Sequence, residues 1–212
     1  MVGYKRMKSA MLLGPKLAES RLARYQKVAG ALLFLGTAQF LVLLVLSEAI
    51  SPGYSVSNNF VSDLGVGVTA SIFNSSLALL GLMAVFSGYF VQRAFGAKLF
   101  PALIALAGIG AIGAAVFPEG NGLLHSLSQL VAFLFGGLTA IVAYKLEKPP
   151  LTYISIVMGV LAIVTLILRI DGIFLGLGPG GIERVTTYSV LLWATGFGGH
   201  LMQASQGAST TS

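Results

Sequence analysis

The sequence predicts an all-α membrane protein, a polytopic bundle of six transmembrane helices. Three observations carry that expectation. The chain is 56% hydrophobic and only 9% charged, where a soluble domain carries about 25% charged residues. Lipid must therefore cover part of its apolar surface. Six apolar stretches follow one another, each close to the roughly 20 residues that a helix needs to cross the hydrocarbon core. Finally, the 13 Lys and Arg residues sort to one side when the chain crosses six times from a cytoplasmic N-terminus. Lys5, Arg6, Lys8, Lys16, Arg21, Arg24, Lys27, Arg93, Lys98, Lys145 and Lys148 fall inside, and only Arg169 and Arg184 fall outside. Cytoplasmic loops retain Lys and Arg. The expected location is the cell membrane, multi-pass, with both termini cytoplasmic.

The spans follow in order: Val28–Ile50, Ile72–Val91, Leu99–Phe117, Leu123–Tyr144, Leu151–Ile170 and Val185–Met202. Helices are required because lipid offers no partner to unpaired backbone groups. The first stretch is too long for the apolar segment of a cleaved signal peptide, so it reads as a retained helix. The third holds small residues four apart, Ala107 with Ala111 and Gly110 with Ala114. Gly136 and Ala140 repeat this in the fourth. Such faces let helix backbones approach closely, within the bundle or in a dimer. Gln39 is expected to hydrogen-bond a neighbouring helix, and Trp193 reads as core. Residues 1–26 read as a basic cytoplasmic tail or surface helix, residues 27–203 as the membrane domain, and residues 204–212 as a disordered tail.

Composition narrows the partners. The net charge of +6 resides in the N-terminal segment and inner loops, so anionic lipid is the expected partner rather than nucleic acid. The absence of cysteine excludes disulfides, thiolate metal sites and a Cys nucleophile. No motif marks a cofactor or metal site, and none is expected.

The outer end gathers Glu48, Asp63, Glu119, Asp171, Glu183, His125, Arg169 and Arg184. Charges beside low dielectric are costly unless paired, which makes them candidates for function. The candidate cluster is Asn59, Asp63, Asn74, Glu119, His125, Asp171, Glu183 and Arg184. Ser128 and Gln129 lie one turn below His125 on its helix face. Several readings compete. In a structural one, Asp63, Asp171 and Glu183 pair with Arg169 and Arg184. In a binding one, a cup between helices takes a lipid headgroup or small polar ligand. In a hydrolytic one, His125 with Glu119 or Asp63 serves a Ser62 or Ser126 nucleophile, or His125 with Asp63, Asp171 and Glu183 holds a metal. A further alternative is an accessory subunit of a membrane complex, or a homo-oligomer, meeting its partner through the small-residue faces.

The segments NNFVSDLG (Asn58–Gly65), IFN (Ile72–Asn74), FPEGNGLLH (Phe117–His125) and GGIERVTTYSVLLW (Gly180–Trp193) resemble the hallmark stretches of one uncharacterised membrane family, domain of unknown function 998. The resemblance covers nearly the whole chain after residue 25. It implies a six-helix bundle and brings no established activity. SDLG followed by a helix opening with Asn74 is also similar to the Frag1/DRAM/Sfk1 group, six-helix proteins linked to lipid organisation. That similarity tilts the expected ligand towards lipid.

Overall fold

A computed structural model describes residues 15–210, and side chains within residues 17–203. Six long α-helices carry the chain: α1 Pro15–Ile50, α2 Ala70–Phe95, α3 Leu99–Val116, α4 Leu123–Val142, α5 Leu151–Ile170 and α6 Gly178–Thr210. Short 3-10 turns at Val61–Gly65, Gly67–Thr69, Glu119–Asn121 and Ala143–Lys145 join them. No strand occurs among the described residues.

Each helix packs on its sequence neighbour, and α6 closes the ring on α1. The two closing helices run antiparallel: Gly30 of α1 meets Gly198 of α6, while Glu48 meets Arg184. Pro15 and Thr210 therefore share one end, the proximal end, and the loops after α1, α3 and α5 share the other, the distal end.

Among the described residues, five helices are long and apolar enough to cross a membrane: Leu17–Ile50, Gly67–Phe95, Leu99–Val116, Leu123–Lys145 and Leu151–Ile170. They mark a membrane-embedded protein. Apolar side chains also cover the outside of the bundle. On α5, Tyr153, Val157, Val160, Val164 and Ile167 are all exposed, at the three- and four-residue spacing of one helix face. Water would not tolerate so continuous a patch. The sixth helix is less apolar, and one side of it is buried against protein. Ile182, Glu183, Thr186, Phe197 and Leu201 are all buried to 1% exposure or less.

Two aromatic-centred cores result. Phe100, Trp193 and Phe197 pack with Ala29, Val91 and Ala140 towards the proximal end. Phe40, Phe73 and Leu191 pack with Leu44 and Leu64 towards the distal end. Gln39 donates to Ser76 O at 2.9 Å, tying α1 to α2. The small residues serve these internal contacts: Gly108 lies against Gly81, Gly110 against Ala132, and Gly159 against Gly137.

The boundaries differ from the sequence reading in three places. The basic segment from Pro15 onward continues α1 without a break, and residues 1–14 lie outside the described residues. Residues 204–210, read as a disordered tail, extend α6, and 211–212 lie outside the described residues. The sixth helix also begins at Gly178, seven residues before the expected Val185. Glu183 and Arg184 thus occupy its first turns rather than a loop. Both charges are paired within the protein.

Candidate functional site

The distal end is organised by the first turns of α6. Gly180 is the closest approach. A Cβ there would collide with the carbonyl oxygens of Asn59 and Val56, so glycine lets the loop between α1 and α2 lie directly on the helix. Gly180 N–H donates to Ser57 O at 2.9 Å, and Ser57 Oγ donates to Leu177 O at 2.8 Å.

Arg184 then clamps this loop. Its Nη2 donates to Glu48 Oε1 at 2.6 Å and to Tyr54 Oη at 2.7 Å. Its Nη1 donates to Val56 O at 2.7 Å and Gly180 O at 3.0 Å, and the guanidinium lies over the Tyr54 ring. Tyr54 Oη donates its own hydrogen bond to Phe60 O at 2.9 Å. Burial pushes the Tyr54 hydroxyl up to about 12, against the opposing pull of Arg184.

One residue earlier, Glu183 faces the bundle interior and is 1% exposed. Its carboxylate accepts from Val61 N–H at 2.6 Å and from Gln129 Nε2 at 3.1 Å, and it pairs with Arg169 Nη1 at 3.3 Å. Arg169 also donates to Gln129 Oε1 and lies over the Phe60 ring at 5.2 Å. A buried carboxylate is tolerated only with this many donors. Glu183 thereby joins α4, α5, α6 and the turn after α1.

That turn is largely self-supporting. Asp63 accepts from Phe60 N–H at 2.9 Å and Asn59 Nδ2 at 3.2 Å, closing its own 3-10 turn. Asn74 donates to Gly65 O at 2.9 Å. A Cβ on Gly65 would meet Asn74 Oδ1 at 2.7 Å. Ser62, between them, turns towards the bundle and is 5% exposed.

His125, also 5% exposed, stands at the start of α4. Its Nδ1 lies 2.7 Å from Phe117 O and its Nε2 lies 2.9 Å from Glu119 Oε2. Both ring nitrogens thus face acceptors. The hydrogen bond from His125 holds the Glu119 carboxyl below the usual range, against burial, and the Ser62 hydroxyl beside it adds to the effect. This arrangement leaves no free imidazole nitrogen to take a proton from Ser62. The metal set proposed from sequence is not assembled either. Among the described residues no three His, Asp or Glu side chains converge as ligands.

These side chains cap a cavity of about 120 Å³. Ser62, His125, Gln129, Glu183 and Thr187 line its distal part, and Thr187 Oγ1 has no hydrogen-bond partner. The rest of the wall is mainly apolar, from Phe40, Leu77 and Ala111 down to Leu33 and Trp193, and the Thr37 and Thr139 hydroxyls within it are engaged by carbonyls of their own helices. Along α4 the lining runs from His125 to Thr139, about 20 Å at 1.5 Å per residue. All helices but α5 contribute.

The stretches that build this end, from the Val61–Gly65 turn to the Gly180–Arg184 segment, fall within a match to the family model described as Protein of unknown function (DUF998), which spans residues 34–200. The chain belongs to the DUF998 family. No curated protein and no solved structure matches it.

Of the eight residues singled out by sequence in this DUF998 protein, seven lie at the distal end in distinct small assemblies. Asn59 with Asp63 closes one turn, Asn74 holds Gly65, Glu119 pairs with His125, Glu183 joins Arg169, and Arg184 joins Glu48. Asp171 is exposed beyond the end of α5 and joins none of them. The pairing expected of Asp63, Asp171 and Glu183 with the two arginines holds for Glu183 and Arg169 alone. Gln129, Arg169, Glu48 and Tyr54 complete the networks. The helix-face position of Gln129 below His125 was the available signal for it. Nothing in the sequence marks Tyr54.

Proposed function

We propose that this DUF998 protein binds one amphiphilic molecule within its helix bundle, with a hydrocarbon chain in the apolar cavity and a polar group beside Ser62, His125, Gln129 and Glu183. The observation that carries this reading is the cavity's lining: long and mainly apolar, with its ionisable side chains, His125 and Glu183, gathered at one end. A small polar ligand would find few unengaged groups, because the charged side chains are already paired with one another. A chain with a hydroxyl or similar neutral head suits the hydroxyls of Ser62 and Thr187 better. The charge sorting along the sequence supports an orientation with the proximal end cytoplasmic and this polar end outside.

Native mass spectrometry of the full chain released from membranes tests the binding. The wild type is expected to retain an amphiphile of one chain. Ala111→Phe, which fills the cavity wall, is expected to lose it at least about tenfold, since overpacking leaves the chain no space. Leu192→Phe, on the exposed bundle surface, keeps it. Equal retention by both variants, or none by the wild type, overturns the reading. Orientation is tested separately. In this cysteine-free chain, Gly120→Cys, whose Cβ meets nothing, should react with an impermeant maleimide added outside intact cells. Lys148→Cys should not, and the reverse pattern inverts the topology.

A further inference from the structure

Away from the cavity's polar end, the proximal end buries one acid that the distal networks do not use. Glu147 sits in the turn between α4 and α5 and is 9% exposed. Both of its carboxyl oxygens are sealed from solvent, and neither has a hydrogen-bond partner of good geometry. The turn carries two lysines, but neither neutralises it. Lys145 lies over the Tyr144 ring, and Lys148 is exposed.

The groups that act on Glu147 come from the two helices it packs against. Ser155 of α5 brings its hydroxyl near the carboxyl, and His200 of α6 acts on it through its charge. Ser155 Oγ in turn accepts from Trp193 Nε1 at 3.0 Å, which leaves the serine proton free to point at Glu147. Trp193 is buried, stacks on Phe197 and lines the cavity. A short polar chain therefore runs from the cavity floor through Trp193 and Ser155 to Glu147.

A carboxylate sealed in this way, without a cation in contact and without donors of good geometry, is costly when ionised. A carboxylic acid is not, and its own O–H supplies a donor. We propose that Glu147 is a proton-binding site: it carries a proton when the turn is docked, and losing that proton loosens the turn from α5 and α6. The proposal stands independently of any ligand in the cavity.

The direction of pH dependence follows. Burial pushes the Glu147 carboxyl above the usual range, with Ser155 and His200 pulling the other way. The docked state then binds more protons than the open one between the ordinary and the raised values. Its stability is full below the ordinary glutamate value, about 4.3, and falls as pH rises through the raised one.

The chain holds a single tryptophan, and it is the one bonded to Ser155. Its fluorescence in the full chain, in detergent micelles, reads the proposal directly. Between about pH 4 and pH 9, the wild type should show a reversible emission change with a midpoint above the ordinary glutamate range. Glu147→Gln, of the same shape but unable to titrate, should abolish it. His200→Gln should keep it and move the midpoint upward, because a neighbour that pulls the Glu147 carboxyl down is gone. If Glu147→Gln fails to fold by circular dichroism, Ser155→Ala decides: an upward midpoint supports the assignment, and an unchanged one overturns it. A wild-type profile without a transition, a transition that survives Glu147→Gln, or one abolished by His200→Gln alone also overturns it.

Discussion

Arg169→Ala should destabilise the bundle by about 3–5 kcal/mol, the usual cost of removing one partner from a buried ion pair. The cost is high because Glu183 cannot escape. Its side chain is 1% exposed, whereas that of Arg169 is 19% exposed. Removing the arginine strands the carboxylate on Val61 N–H and the Gln129 amide. It also frees the end of α5 from α6 and from the Phe60 ring. Replacing both charges, Arg169→Met with Glu183→Leu, should cost less than Arg169→Ala alone, since a well-packed apolar pair can equal a buried salt bridge. The recovery should be incomplete, because Val61 N–H then loses its acceptor. Reversible unfolding in mixed micelles measures all three proteins. A single-variant loss under about 1 kcal/mol, typical of exposed pairs, would show that water reaches this carboxylate.

Gly108→Val should be strongly damaging. A Cβ on Gly108 would lie 2.5 Å from Gly81 O, and one on Gly81 would lie 2.5 Å from Gly108 O. Both obstacles are backbone, so no side chain can rotate away and α2 must move off α3. Overpacking of this kind costs about 1–3 kcal/mol, and more where the neighbour is rigid. Gly196→Ala is the counterpart. Its Cβ would meet nothing within 4 Å, so exchanging glycine for a better helix former should be neutral or gain up to about 1 kcal/mol. Thermal unfolding of the two variants should separate them clearly. Equal stability would mean that α2 and α3 are not held at the spacing described.

Much of the fold was legible in the sequence because hydropathy and charge act locally. The first five apolar stretches coincide with helices to within a few residues, apart from the basic extension of α1. The sixth was set seven residues late for a physical reason. Gly178–Gly181 reads as a loop, and Glu183 and Arg184 read as its last charges, before a helix that opens at Val185. They are instead helical and satisfied by partners more than ten residues away in sequence. The same non-locality hid the pairing. Arg169 and Arg184 stood out as the two outer cations, but residue type does not say that one takes Glu183 and the other Glu48. Asp171 resembled its acidic neighbours in sequence and ended outside every network. The cavity left no local trace, because it is made of ordinary Leu, Ala and Phe positions from five helices.

The position of α5 has a consequence for how the protein can change over evolutionary time. This helix supplies no cavity wall, and three polar attachments tie it to α6: Arg169 with Glu183 at one end, Thr165 with Thr186 between, and Ser155 with Trp193 at the other. Its outward side answers only to the membrane. Substitutions there should be almost free among greasy residues, while those three anchors tolerate little. Mutational tolerance across the molecule is therefore lopsided, and a saturation scan of α5 alone should reveal a permissive strip beside three intolerant points.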